Sequence, residues 1–147
     1  MKIKTLLATD GSEGAERAAG YLRQLAEGLN SCEIVVINVV RPLTHWLVPS
    51  ESGMMFSGEL MAQMLETARE DGKAIVSRFV GMFEGCNVRG LLAEGDPATE
   101  IARVAIDEQA DMVVMGSRGM NALQGLVLGS VTTRVLHLSD KPVLVVP

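Results

Sequence analysis

Residues 3–12 read IKTLLATDGS, a short aliphatic run that ends in a polar turn. The run from Ile3 to Thr9 is predicted to form a core strand. Ser12 is well placed to cap a helix that begins directly after the turn. That helix is indicated by apolar residues at helical spacing, namely Ala15, Ala18, Ala19, Leu22, Leu25, Ala26 and Leu29. The chain therefore opens with a strand, a turn and a helix whose apolar stripe faces a sheet.

The alternation of strands and helices continues to the end of the chain. Further strands are predicted over residues 33–40 (EIVVINVV), 87–94, 111–115 (DMVVM) and 142–146 (PVLVV). Helices are predicted between them: one from Leu60 to near Gly85, one from Pro97 with Asp96 as its cap, and a short one from Ser130. Their apolar positions are Leu60, Met64, Ala68, Ile75, Phe79 and Phe83, then Ile101, Val104 and Ala105, then Val131, Val135 and Leu136. Strict alternation predicts an α/β three-layer sandwich with a five-stranded parallel sheet.

Length and composition agree with that fold class. A chain of 147 residues fits a single domain over 1–147. The residues are 48% hydrophobic but only 3% aromatic, so the core must be aliphatic, as in parallel sheets covered on both faces. The net charge of -5 and the absence of a basic run argue against nucleic acid or membrane as partners. No apolar stretch approaches the roughly 20 residues that span a bilayer, and residues 1–5 lead into a strand instead of a secretory leader. We expect a cytoplasmic protein.

The cysteines and histidines give little support for a metal site or a catalytic triad. Cys32 and Cys86 each precede a predicted strand and are expected to be reduced, partly buried thiols. His45 falls in a predicted loop, and His137 near a helix end, where a cation suits the helix dipole. A zinc site or a Ser/His/Asp triad is therefore disfavoured, and no metal ligand is assigned.

A glycine-studded segment follows the fourth predicted strand. It runs from Met115-Gly116-Ser117-Arg118-Gly119 to Gly129-Ser130-Val131-Thr132. In open α/β sheets, ligands bind beyond the carboxyl ends of the strands, where the strand order reverses. This segment and the turn after the first strand are the candidates for that position.

The segment has the chemistry of a phosphate cradle. Glycines at 116, 119 and 129 are expected to take positive φ and to let amide groups approach phosphate oxygens. Gly129-Ser130 opens a helix whose N-terminus favours an anion, while Ser130 and Thr132 offer hydroxyl donors and Arg118 offers charge. The spacing is neither a P-loop nor a Rossmann fingerprint. Glycines at such a turn also often serve the turn alone, which is the competing interpretation.

Nearly the whole chain resembles the universal stress protein family. The resemblance rests on Thr9-Asp10-Gly11-Ser12, on Gly95-Asp96-Pro97, and on the pattern G-x2-G-x9-G-[ST] at Gly116, Gly119, Gly129 and Ser130, which is associated with the ATP-binding branch. It implies strand order 3-2-1-4-5, a Rossmann-like fold of the adenine nucleotide alpha hydrolase type. ATP, ADP or AMP would lie across strands one and four. Asp10 and Val39 would lie by the ribose and adenine, and Met115 by the adenosine. The phosphates would be surrounded by Gly116, Arg118, Gly119, Gly129, Ser130, Val131 and Thr132.

The resemblance also implies a homodimer that pairs its last strands over Val143 to Val146. The favoured hypothesis is a nucleotide-dependent sensor in which ligand binding changes dimer or partner contacts. It predicts that changing Gly116 and Gly129 together to valine abolishes nucleotide binding while the fold persists. A slow ATPase or nucleotide phosphotransferase and a nucleotide-free dimeric scaffold are the alternatives.

Three roles stay open at this point. Asp10 can hold Mg²⁺ against the phosphates, accept a ribose hydroxyl, or only organise the turn. Arg118 can contact phosphate or be an ordinary solvated surface residue. The segment 42–58, with Trp46 and Met54-Met55-Phe56, is expected to be buried under the following helix or to form a partner surface.

Overall fold

The computed structural model describes residues 2–29, 31–42, 58–119 and 127–147. Its strands are β1 (Ile3–Ala8), β2 (Cys32–Val40), β3 (Asn87–Glu94), β4 (Met112–Gly116) and β5 (Val143–Val146). Its helices are α1 (Glu13–Glu27), α2 (Gly58–Val80) with a 3₁₀ turn at Gly81–Phe83, α3 (Pro97–Asp107) and α4 (Ser130–Leu138). Every predicted strand is present within one residue at each end. The predictions for Trp46, for Met54-Met55-Phe56 and for His45 lie outside the described residues.

The five strands form one parallel sheet in the order β3-β2-β1-β4-β5, which confirms the predicted fold class. The chain moves outward from β1 to β2 and β3, then returns to the other side of β1 to form β4 and β5. The strand order therefore reverses between β1 and β4, and their carboxyl ends lie side by side. This is the position at which open α/β sheets bind ligands.

Two apolar layers cover the sheet. Successive strand residues point to opposite faces, so Leu6 packs in the layer under α3 and α4, while Leu7 packs in the layer under α1 and α2. Both leucines are fully buried, as are most residues of β2. The sheet is thus buried on both faces, which explains why its central strands are continuous aliphatic runs.

Some apolar residues at helical spacing are exposed. Leu60, Leu136 and Met64 are 41%, 42% and 42% exposed, although the helices that they predict are present. Leu25, which belongs to the stripe of α1 expected to lie on the sheet, is 37% exposed. That expectation is wrong for Leu25, because periodicity gives the direction of a helix face but not how far the neighbouring layer extends.

The cysteines and His137 lie close to where the sequence placed them. Both thiols are free and half-buried, although Cys32 belongs to β2 instead of preceding it. Burial raises the pKa of the Cys32 thiol, and the neighbouring Cys86 adds to the rise. His137 lies in the last turn of α4. Among the described residues, no helix combines the length and the apolar character needed to cross a membrane.

Asp96 caps α3 and ties it to α4. Its carboxylate accepts hydrogen bonds from the Thr99 amide (3.1 Å) and the Thr99 hydroxyl (2.8 Å), as expected of a helix cap. The same carboxylate pairs with the Arg134 guanidinium of α4 at 2.6 Å. The hydrogen bond from Arg134, helped by those from Thr99, lowers the pKa of Asp96 to about 2.

Asp96→Ala is expected to lower the free energy of unfolding by about 1 kcal/mol at pH 7, because α3 loses its cap. The folded-state pKa is below the ordinary value of 3.8. The stabilisation by Asp96 is therefore complete above pH 3.8 and is lost as the pH falls through about 2. Urea unfolding of both proteins across this pH range measures the difference.

Asp96→Asn is the matched control, because its side-chain oxygen still accepts the Thr99 amide while the charge facing Arg134 is gone. We expect a smaller loss of stability at pH 7, and this loss should also shrink as the pH falls through about 2, because the wild-type protein then loses the same charge. A deficit of the alanine variant that stays constant down to pH 2 would show that the ionised carboxylate contributes nothing.

Candidate functional site

A cavity of about 540 Å³ opens at the carboxyl edge of β1, β2 and β4. It lies between the β1–α1 turn, the start of α3 and the start of α4. The structure brings all ten sequence-predicted site residues together in its lining: Asp10, Val39, Met115, Gly116, Arg118, Gly119, Gly129, Ser130, Val131 and Thr132. Its volume is in the range of small-molecule sites.

One part of the lining is aliphatic. Ala8, Ile37, Val39 and Met115 reach the cavity from three neighbouring strands, and Ile101 reaches it from α3. All five belong to the core layer under α3 and α4 or pack against it. The cavity is therefore a continuation of the core beyond the strand ends, with a surface suited to an apolar, flat group.

The β1–α1 turn is held in place from several sides. Gly11 takes φ +83°, and its amide donates to the Thr9 hydroxyl oxygen at 3.1 Å. The Ser12 amide donates to the Asp10 carboxylate at 3.0 Å. The Asn38 side-chain amide, buried within β2, donates to the Thr9 carbonyl at 2.8 Å. These bonds fix where the Asp10 carboxylate enters the cavity.

Asn38 is a functional position that the sequence interpretation missed. It lies in the middle of the aliphatic run EIVVINVV, where every neighbour is apolar. An amide in such a run must find a hydrogen-bond partner when it is buried. A polar residue between the aliphatic residues Ile37 and Val39 was the signal that could have identified it.

Gly116 serves packing against α1. A Cβ at this position would lie 2.8 Å from the carbonyl carbon and 2.9 Å from the carbonyl oxygen of Gly14. The two glycines let the first turn of α1 approach the end of β4 at backbone distance. Positive φ among the described glycines occurs only at Gly11, Gly85 and Gly95, so the positive φ expected at 116, 119 and 129 is wrong.

Glycine is found at positions 119 and 129 for two other reasons. A Cβ at residue 119 would lie 2.6 Å from Asp10 Oδ2, so Gly119 leaves room for that carboxylate. Gly129 precedes α4 in an extended conformation (φ -72°, ψ 163°), and a Cβ there would come no nearer than 3.4 Å to Arg118 Cα. The joint replacement of Gly116 and Gly129 by valine would therefore not leave the fold intact, contrary to expectation.

Two hydrogen bonds join the two ends of the glycine-studded segment, and a third ties it to β5. The Gly129 amide donates to the Ser117 carbonyl at 2.7 Å, and the Ser117 amide donates to the Val146 carbonyl at 2.9 Å. The buried Thr132 hydroxyl donates to the Gly116 carbonyl at 3.0 Å. The Gly129 amide and the Thr132 hydroxyl proton are thus engaged within the protein, and Thr132 can reach an anion only through its amide.

The N-terminus of α4 lines the cavity without a capping side chain. Ser12 and Asp96 cap α1 and α3, whereas α4 begins after Gly129, which has no side chain to accept a hydrogen bond from the helix amides. The amides of the first helical turn have no acceptor within a helix, and the helix dipole adds positive potential there. Arg118, exposed beside this turn, makes no ion pair within the described part of the chain. This end of the cavity is electropositive.

The described residues contain no cluster of three or more His, Cys, Asp or Glu side chains that could bind a metal ion. Asp10 is the carboxylate in the cavity lining. A divalent ion in this cavity would therefore need most of its ligands from the bound molecule.

A family model described as "Universal stress protein family" matches residues 2–147. A universal stress protein of Thermus aquaticus is 36% identical over 141 residues, which cover 96% of each chain. The solved structure of MJ0577, a protein of Methanocaldococcus jannaschii, is 33% identical, covers 98% of this chain and 94% of its own, and superposes with a TM-score of 0.74.

Two further solved structures share the fold and contain a nucleotide. A universal stress protein in complex with cAMP is 22% identical, covers 99% of this chain and 97% of its own, and has a TM-score of 0.69. The universal stress protein of Archaeoglobus fulgidus in complex with dAMP is 19% identical, covers 100% and 98%, and has a TM-score of 0.63. At these identities the similarity shows the fold.

Gly116→Ala is expected to destabilise the protein by about 1–3 kcal/mol, because the added methyl group would overlap the backbone of Gly14. Chemical denaturation measures the loss. Gly129→Ala, with its nearest contact at 3.4 Å, should be close to neutral.

Gly20→Ala is the matched control inside α1, where nothing lies within 4 Å of an added Cβ. It should stabilise the protein by about 0.5–1 kcal/mol through helix propensity alone. Equal stability of the Gly116 and Gly129 variants would show that close packing of α1 on β4 does not require the glycine.

Proposed function

Because the chain belongs to the universal stress protein family, we propose that it is an adenine-nucleotide-binding regulator whose ligand, ATP, occupies the cavity at the ends of β1 and β4. The observation that carries this proposal is the polarity of that cavity: aliphatic side chains line one part, and the uncapped N-terminus of α4 with Arg118 lines the other. An adenine nucleotide has the same division into an apolar base and an anionic tail. The nucleotides bound by two structural neighbours agree with this ligand class.

Adenosine would lie on the aliphatic side. Val39 and Met115 provide the surface for the base, and Asp10 lies where its carboxylate can accept hydrogen bonds from the ribose hydroxyls. Gly119 leaves space for that carboxylate. We therefore propose the ribose role for Asp10, in addition to its hydrogen bond within the turn.

The phosphates would lie at α4. The amides of Ser130, Val131 and Thr132 in the first turn, the Ser130 hydroxyl and the Arg118 guanidinium supply the donors and positive charge. Gly116, Gly119 and Gly129 shape the backbone beneath them. Mg²⁺ would be held mainly by the phosphates, since Asp10 contributes the one carboxylate among the described residues that line the cavity.

Ligand occupancy can be transmitted to the edge of the sheet. The Ser117 amide, inside the glycine-studded segment, donates to the Val146 carbonyl at the end of β5. A change in this segment on binding is therefore coupled directly to the last strand. We propose that the protein is a sensor of this kind, that it forms a homodimer through β5, and that it acts as one domain in the cytoplasm, where the free Cys32 and Cys86 would stay reduced.

ATP is expected to raise the melting temperature of the purified protein as its concentration exceeds the dissociation constant. At an ATP concentration one hundred times the dissociation constant, the free energy of unfolding rises by about 2.7 kcal/mol. Arg118→Ala should weaken ATP binding about tenfold, because a charge-assisted hydrogen bond is lost. Calorimetric titration and thermal melting measure both effects. We expect the ATP to be recovered intact afterwards.

Arg23→Ala is the matched control, since Arg23 is exposed on α1 and pairs with Glu27 instead of lining the cavity. Its affinity for ATP should equal that of the wild-type protein. A melting temperature that stays flat up to millimolar ATP would contradict the proposed function and favour a nucleotide-free scaffold.

Val145→Pro tests the proposed dimer. The carbonyls of Pro142 and Val146 accept hydrogen bonds from β4, so alternation along the strand turns the backbone groups of Val143 and Val145 toward the open edge. Proline at 145 removes one outward N–H and is tolerated on an edge strand. We expect a monomer by light scattering, with the fold retained.

Val145→Ala trims the same side chain but keeps the N–H, so that variant should remain a dimer. If both variants dimerise equally well, the subunits do not associate by pairing of β5.

A further inference from the structure

Two arginines stand apart from the rest of the charged surface. Of the nine arginines in the sequence, seven make an ion pair or a hydrogen bond to a carbonyl: Arg17, Arg23, Arg69, Arg78, Arg89, Arg103 and Arg134. Within the described residues, Arg41 and Arg118 make none, and both line the cavity. Cationic side chains that line a cavity and lack a protein partner are suited to contact a ligand.

Arg41 belongs to the opposite end of the cavity from Arg118. Arg118 follows β4 and Arg41 follows β2, and these two strands flank β1 on either side. The ends of β2 and β4 are two strand spacings apart, which is about 10 Å. Arg118 lies beside the N-terminus of α4, whereas Arg41 lies beside the aliphatic lining contributed by β2.

Arg41 continues a row of side chains along one face of β2. Ile37, Val39 and Arg41 are at alternate positions, so they share the face that carries the α3 and α4 layer. The Val40 carbonyl accepts the Gly95 amide at 3.0 Å, which anchors the chain directly before Arg41. Pro42 after it restricts Arg41 to extended backbone. Arg41 is thus held at the outer end of the surface formed by Ile37 and Val39.

The chemistry of the cavity suggests what Arg41 contacts. No Phe, Tyr or Trp is present among the described residues that line it, so within this part of the chain the aliphatic floor can cover one face of a planar base and no aromatic side chain covers the other. A guanidinium is planar and stacks on aromatic faces, combining cation–π attraction with contact area. It can therefore cover the second face in place of an aromatic side chain.

We propose that Arg41 stacks on the purine base of the ligand and closes the solvent side of the base pocket, while Arg118 serves the phosphates. This inference rests on the proposed nucleotide function and adds a residue that contacts the base. Arg41 would recognise the purine ring, and Arg118 would recognise the phosphate charge.

Adenosine and ATP together separate the two roles, because adenosine carries the base without phosphate. Arg41→Ala is expected to weaken binding of both ligands by the same factor, about tenfold for a lost stacking contact. Arg118→Ala should weaken ATP alone and leave adenosine unchanged. Titrations followed by NMR chemical shifts detect adenosine even at millimolar affinity.

Arg41→Lys keeps the charge but loses the planar group, and it should behave like Arg41→Ala. The control Arg23→Ala should leave both affinities at the wild-type values. Raising the salt concentration should weaken ATP binding equally in the wild-type protein and in Arg41→Ala, since stacking releases no phosphate counterions.

Each remaining outcome decides against one proposal. If Arg41→Ala weakens ATP but not adenosine, or if Arg41→Lys retains full affinity, Arg41 is a phosphate contact and the stacking role is overturned. It is also overturned if ATP binds and adenosine does not, or if Arg41→Ala changes neither affinity. If the wild-type protein binds neither ligand, the proposed nucleotide function itself fails.

Discussion

The close approach of two backbones, Gly14 in α1 and Gly116 at the end of β4, is the constraint on which the site depends. Side chains at either position would separate the helix from the strand, because backbone atoms stand where a Cβ would be. With α1 seated there, the β1–α1 turn and the β4 end lie side by side at the point of strand reversal. The cavity exists because these two loops meet at backbone distance.

A different physical reason accounts for glycine at each position of the motif. Gly116 admits α1, Gly119 admits the Asp10 carboxylate, and Gly129 starts α4 without a capping side chain. None of the three takes positive φ. The motif spacing therefore reflects packing around the cavity, and it leaves the first turn of α4 without a capping side chain.

The cavity also lies where several helices and strands are joined by hydrogen bonds and an ion pair. Asp96 and Arg134 tie the start of α3 to α4, Asn38 holds the β1 end from β2, and the Ser117 amide reaches the carbonyl of Val146 in β5. A ligand that contacts the segment after β4 thus acts on an element bonded to the open edge strand. In the proposed function, this arrangement would give the bound nucleotide a short physical route to the edge at which a second subunit could pair.

The sequence by itself determined the strands, the helix caps at Ser12 and Asp96, the three-layer sandwich, and the set of residues that line one cavity. The strands, caps and sandwich follow from local periodicity and from capping chemistry within four residues. The glycine-studded segment follows from motif spacing, whereas the places of Val39 and Met115 in the cavity were implied by the family resemblance alone. Asn38 left a local signal, a polar residue inside an aliphatic strand, but its partner Thr9 is known only from the structure. Tertiary structure alone decided that Leu25, Leu60 and Leu136 are exposed, that Gly116 faces a helix backbone, and that Arg41 borders the site. Those outcomes depend on which distant elements pack together, and no local pattern contains that information.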